Sequence, residues 1–123
     1  MIRSPGLSCW KTGNSVAGPY VLAGSSMGGY VAAAAANKSQ PLGLFLMAPA
    51  FYMKGYEAYT PAVPACPVTI VHGWHDAIVP WQNSTRFGAD ASARVILLNS
   101  DHYLTDVLAE LKEEFAGFLR ELG

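Results

Sequence analysis

Charge is scarce in this sequence of 123 residues: only 14% are Asp, Glu, Lys or Arg, and the formal net charge is −1. No basic patch or run of like charge stands out, so no nucleic-acid partner is expected. Cysteine is limited to Cys9 and Cys66, neither in a C-x-x-C or other metal-ligand spacing. The sequence therefore predicts no metal site, and two reduced, structural thiols. Long apolar runs are missing as well, and the polar N-terminus (Arg3, Ser4, Ser8, Lys11, Thr12) lacks the apolar core of a signal peptide. A cytoplasmic protein with no membrane partner is the expectation. Residues 1–19 show no period of 2 or 3.6 and are rich in Gly, Ser and Pro, which predicts a loop or disordered lead-in.

What is present is hydrophobic, at 51% of residues, enough for one compact domain over residues 20–123. Short continuous apolar runs alternate with helical patterns. The reading is strand Tyr20–Ala23, helix Met27–Lys38, strand Leu42–Met47, an irregular aromatic stretch Pro49–Pro67, strand Val68–His72, helix Pro80–Ala89, strand Val95–Leu98 and helix Leu104–Leu122. Strands without polar alternation, separated by helices, predict an α/β fold: a parallel sheet of about four strands with helices on both faces. Pro41 closes the first helix, Pro67 precedes a strand, and Pro80 suits a first helical turn.

The chain is organised around Gly24-Ser25-Ser26-Met27-Gly28-Gly29, where a strand meets an alanine-rich helix. This is the G-x-S-x-G pattern of a nucleophile elbow, which lifts a serine clear of the sheet on a strained turn. Strand and helix approach closely there, so Gly24 and Gly28 are both expected to be required sterically. The plainer alternative is a glycine-rich turn in which Ser25 and Ser26 cap the helix. A phosphate-binding loop is set aside because both the Walker ending and the G-x-G-x-x-G spacing are missing.

In an open parallel sheet, chemistry gathers at the carboxyl ends of the strands. Asp76 follows the third predicted strand and His102 the fourth, so that Ser26, Asp76 and His102 occur in the order Ser, Asp, His. Such residues suit one another: a serine hydroxyl is a poor nucleophile until an imidazole takes its proton, and the imidazole needs a carboxylate on its other nitrogen. His72 and His75 are rivals for the base, His72 being expected to bond backbone and His75 to be exposed. Asp101 is a rival carboxylate, although its place beside His102 suits loop shaping better.

With GSSMGG, HGWHDAIVP and the Asp101-His102 pair in hand, the chain resembles the C-terminal half of a small serine hydrolase of the α/β-hydrolase superfamily, most similar to compact bacterial esterase-like members. The resemblance covers residues from about Tyr20 to the end. It implies Ser26 as nucleophile, His102 as general base and then acid, and Asp76 as the residue that orients the imidazole. The backbone N–H of Met27 is expected to donate to the oxyanion. Phe51, Tyr52, Met53, Tyr56 and Tyr59 lie where the superfamily often carries cap elements. Phe51, Tyr52 and Tyr56 are taken as candidates for the substrate pocket, against the alternative that these aromatics simply cover the sheet.

The departures are also legible. No strands of the usual first half precede the elbow, no HGGG-like segment supplies a second oxyanion donor, and the first strand is expected to present a bare edge that invites self-association. The expectation is a fragment or mis-started version of a longer hydrolase. The expected activity is cleavage of a small-molecule carboxylic ester or thioester through a Ser26 acyl-enzyme, without cofactor. Its rival is an α/β-hydrolase-like binding module that keeps the elbow as architecture.

Overall fold

The structure, a computed structural model, describes residues 2–3 and 19–122. Five parallel strands lie in sequential order: β1 (Ile2–Arg3), β2 (Val21–Ser25), β3 (Leu44–Met47), β4 (Val68–Gly73) and β5 (Arg94–Leu98). Among the described residues three α-helices accompany them: α1 (Met27–Ser39), α2 (Trp81–Ala91) and, after the last strand, α3 (Leu108–Leu122).

Both faces of the central strands β3 and β4 are buried, which is why they read as unbroken apolar runs. Leu22, Leu44, Leu46, Val68 and Ile70 point to one side, where they pack on α1 and on Phe87 of α2. Val21, Phe45 and Val71 point to the other, where they meet Phe118 of α3. Sequential parallel strands joined by crossovers of one hand place the connections from β2 to β5 on the same face, so α3, which follows the last strand, is left to cover the opposite one. Alanine suits α1 because Ala32, Ala33, Ala35 and Ala36 let the helix sit close on the sheet. The α3 face is built from rings instead: Phe45 lies edge-on to Phe115 at 4.9 Å and tilted against Phe118 at 5.4 Å.

Three expectations change. The sheet has five strands instead of about four, because Ile2 and Arg3 pair in parallel with Val21 and Leu22. A dipeptide is too short to display any period, which hid it within the predicted lead-in, and β2 is accordingly not a bare edge at those two positions. The expected loop over residues 4–18, with Cys9, lies outside the described residues. The last helix begins at Leu108 and not at Leu104, whose φ of 58° is left-handed and starts a single 3₁₀ turn at Thr105–Val107. Its side chain is buried all the same.

The long β3–β4 connection carries no α-helix, only one 3₁₀ turn at Glu57–Tyr59. Helix α1 and helix α2 hold it by hydrogen bonds. The Asn83 amide donates to Phe51 O at 2.9 Å, the Asn37 amide to Ala62 O at 2.8 Å, and the Tyr30 hydroxyl to Tyr59 O. Phe51 seals the sheet in place of a crossover helix, stacked on Phe87 with ring centroids 4.1 Å apart. Among the described residues no helix is long and apolar enough to cross a membrane.

Candidate active site

Ser26 stands between β2 and α1 with φ 56° and ψ −121°, a backbone conformation that costs a non-glycine residue roughly 1–3 kcal/mol and persists only when its surroundings enforce it. The surroundings are specific. Ser26 N–H donates to Met47 O at 2.9 Å, and Ser26 O accepts from Gly29 and Ala50, both at 3.0 Å. A Cβ on Gly24 would fall 2.2 Å from the Gly28 carbonyl oxygen, so only glycine allows β2 and α1 to meet here. Gly28 itself is a correction: a Cβ there meets nothing within 4 Å, and the second close approach belongs to Gly29, whose Cβ would lie 2.9 Å from Pro49 Cβ. Nor does Ser26 cap the helix, since α1 has no side-chain cap.

Its hydroxyl turns instead to His102, whose Nε2 is 2.9 Å from Ser26 Oγ. His102 Nδ1 is 2.7 Å from Asp76 Oδ2. A carboxylate can only accept, so Nδ1 carries the proton and Nε2 is left to accept from the serine hydroxyl. The three residues are 50 and 26 positions apart in sequence and come together because β4 lies between β3 and β5, which puts the ends of β2, β4 and β5 on one edge of the sheet.

Asp76 is held from both sides. Its Oδ1 accepts from Ile78 N–H at 2.8 Å and Val79 N–H at 2.7 Å, so Asp76 shapes its own turn while it contacts the imidazole. Its side chain has no exposed surface. Burial pushes the carboxyl upward, but the Val79 amide, the His102 side chain, the Ile78 amide and the His102 charge together hold it below the usual carboxylate range.

The loop that carries His102 is shaped by Asp101, whose Oδ1 accepts from Tyr103 N–H at 2.9 Å and Leu104 N–H at 3.3 Å. Asp101 is therefore a turn residue and not a partner of the ring. Ser100 bonds Asp106 just beyond it. The β4 end supports this loop directly: a Cβ on Gly73 would fall 2.3 Å from Ser100 O, and His75 N–H donates to that oxygen at 3.0 Å. The His75 ring bonds Asn99 Oδ1 at 2.8 Å, away from Asp76.

His72 meets the expectation that it bonds backbone and does more. It does bond backbone, with Nε2 2.9 Å from Val79 O, but the same nitrogen is 3.0 Å from Asp76 Oδ2, and Nδ1 is 2.6 Å from Ser84 Oγ. Both His72 and Ser84 are wholly buried. The sequence did hold a signal for Ser84, which shares the inward face of α2 with Phe87 and Gly88 at i+3 and i+4.

Beside the elbow lies a small apolar cleft of about 240 Å³ lined by Met27, Tyr30, Ala50, Met53 and Tyr56. Of the three aromatics expected at a substrate pocket, Tyr56 lines this cleft, while Phe51 and Tyr52 do not. Phe51 is enclosed in the core, and Tyr52 lies against it with the Arg86 guanidinium 3.8 Å above its ring. The β3–β4 connection spends these two rings on the sheet because nothing else there covers it. The Met27 N–H is the first amide of α1 and has no acceptor within its own helix. No group of three His, Cys, Asp or Glu able to hold a metal occurs among the described residues.

The fold is shared with solved structures. A protein described as a hydrolase of the alpha/beta superfamily from Xanthomonas campestris is 36% identical, with a TM-score of 0.74 over 85% of this chain and 59% of its own. An alpha-beta serine hydrolase homologue from Coxiella burnetii is 28% identical, with a TM-score of 0.66 over 77% of this chain and 46% of its own. Alpha/beta hydrolase domain-containing protein 10 from mouse, 21% identical, shares the fold with a TM-score of 0.74 over 89% of this chain and 65% of its own. The chain thus spans roughly half to two thirds of the length of these relatives. No protein-family model and no curated protein matches it.

Proposed function

We propose, from the premise that this chain belongs to the α/β-hydrolase superfamily, that it acts as a serine hydrolase, cleaving a carboxylic ester or thioester through an acyl-enzyme on Ser26. The observation that carries this reading is the continuous run of hydrogen bonds from Ser26 Oγ through His102 to Asp76, beginning on a strained turn.

In the proposed reaction His102 Nε2 takes the Ser26 proton as Oγ adds to the substrate carbonyl. Asp76 holds the ring in the tautomer that leaves Nε2 free, and it stabilises the imidazolium that forms. The carbonyl oxygen becomes an oxyanion, to which the Met27 N–H donates, aided by the positive end of α1. His102 then returns the proton to the leaving alcohol or thiol. Water, deprotonated by the same nitrogen, releases the acid and restores Ser26.

The cleft lined by Met27, Tyr30, Met53 and Tyr56 suits the acyl group, because it offers apolar surface and no charged side chain. A short, uncharged acyl chain is the favoured substrate on this ground.

The test is intact-mass analysis after treatment with a fluorophosphonate, with Ser26→Ala as control. One adduct, mapped to Ser26 and absent from the control, is expected. Failure of the folded wild-type chain to take an adduct would overturn the reading.

A further inference from the structure

His72 takes no part in the proton transfers above, yet it meets the same oxygen of Asp76 that His102 meets. Its Nε2 lies 3.0 Å from Asp76 Oδ2 and 2.9 Å from Val79 O. Both neighbours accept in the ionised site, so Nε2 must carry a proton that the two oxygens share. On the far side of the ring, Ser84 Oγ is 2.6 Å from Nδ1. With one ring proton, Nδ1 accepts from the Ser84 hydroxyl; with two, it donates to it. In either case Nε2 donates to Asp76.

The result is a chain of five side chains, Ser26, His102, Asp76, His72 and Ser84, with the carboxylate at its centre. Two backbone amides hold Oδ1, whereas among the described residues Oδ2 is held by the two imidazoles. Without His72, Oδ2 would be left to His102, the ring it orients, and the carboxylate plane would rest on the two Oδ1 amides.

We propose that His72 is a positioning residue for the Ser26 reaction: its Nε2–H, fixed from behind by Ser84, sets the plane of the Asp76 carboxylate and thereby the direction in which His102 Nε2 faces Ser26. The inference rests on the hydrolase reading of Ser26. It assigns His72 an effect on turnover and little on substrate affinity, since the ring lies beneath Asp76, is wholly buried and lines no part of the cleft. A misplacement of about 1 Å in a reacting constellation costs on the order of 100-fold.

The experiment measures kcat and KM on p-nitrophenyl butyrate together with the rate of fluorophosphonate labelling. His72→Leu, checked by circular dichroism, is expected to lower kcat and the labelling rate about 10–100-fold with KM within about twofold. His72→Gln, whose side-chain amide can donate from nearly the same place, is expected to return kcat to within about threefold of wild type. A folded His72→Leu chain labelled at the wild-type rate overturns the inference while leaving Ser26 as nucleophile. Should His72→Leu fail to fold, Ser84→Ala decides, with kcat expected to fall several-fold at constant KM; an unchanged kcat overturns the inference. Nitrogen-15 NMR of the wild type is an independent check, because a His72 ring protonated only at Nδ1 could not donate to Asp76. A folded wild type that takes no adduct removes the Ser26 reading itself, and with it the reaction His72 would serve.

Discussion

Two arms of the same composition leave Asp76, and they stand in opposite surroundings. The outer arm, His102 and Ser26, reaches the carboxyl edge of the sheet, and Ser26 is partly open to solvent. The inner arm, His72 and Ser84, is closed within the core. An imidazole between a carboxylate and a hydroxyl is therefore not by itself a catalytic device. What separates the arms is access and backbone: Ser26 sits at φ 56° beside an apolar cleft, whereas Ser84 lies inside regular α2 with no path to a substrate. On the proposed reading, the inner arm serves orientation and the outer arm transfer.

The sharpest way to break this contrast is to remove each serine hydroxyl. Ser26→Ala is expected to lower kcat/KM by about 10³-fold or more without unfolding the chain, measured with an activated ester and by circular dichroism. Equal losses from Ser26→Ala and Ser84→Ala would erase the distinction between the arms.

Asp76→Asn acts on both arms at once and is expected to cost on the order of 10³-fold in kcat, because an amide no longer dictates the tautomer of His102. It also has a pH signature. The folded Asp76 carboxyl is held below its ordinary value, so its contribution to stability is complete above the unfolded pKa of about 4 and is lost as pH falls through the lower folded value. Thermal melts of wild type and Asp76→Asn should therefore differ most near neutrality and converge below about pH 4. A gap that widens on acidification would contradict the sign of the shift.

The turn that exposes the outer arm can be tested through its glycines. Gly24→Ala drives a Cβ onto backbone and is expected to destabilise by about 3 kcal/mol or more, whereas Gly28→Ala, in open space within α1, is expected to be neutral or stabilising by up to about 1 kcal/mol. Denaturant titration of the two variants separates them. On the inner arm, Ser84→Ala leaves a buried ring nitrogen without its partner and is expected to cost about 1–3 kcal/mol in the same assay. The smallest effect belongs to the strain at Ser26: Ser26→Gly should melt above Ser26→Ala by the equivalent of about 1 kcal/mol, since glycine adopts a positive φ freely.

Much of this was legible in the amino-acid order, and the failures have physical causes. The strand, turn and helix around Ser26 could be read because the constraint is local: Gly24 meets Gly28 within the same turn. The role of Gly28 could not, since a motif records that a small residue stands there without recording what it faces. Phe51 and Tyr56 are chemically alike and five residues apart in a connection without periodicity, yet one fills the core against Phe87 and the other lines the cleft. Composition cannot tell them apart when no helix or strand sets which way a side chain points. His72 illustrates the same limit, because its partners Asp76 and Val79 belong to the loop after its own strand and Ser84 to helix α2.

The sequence by itself determined the alternation of strands and helices, the parallel sheet they imply, and the placing of Ser26, Asp76 and His102 after the first, third and fourth predicted strands in that order. Those properties follow from apolar periodicity and turn sterics, which act between residues a few positions apart. Which nitrogen meets which oxygen was decided only by the tertiary structure. The pairing of Gly73 with Leu98 and the contact of Gly73 with Ser100 bring the Asp76 and His102 loops side by side, and hydrogen bonds are sensitive to displacements far smaller than one residue of register.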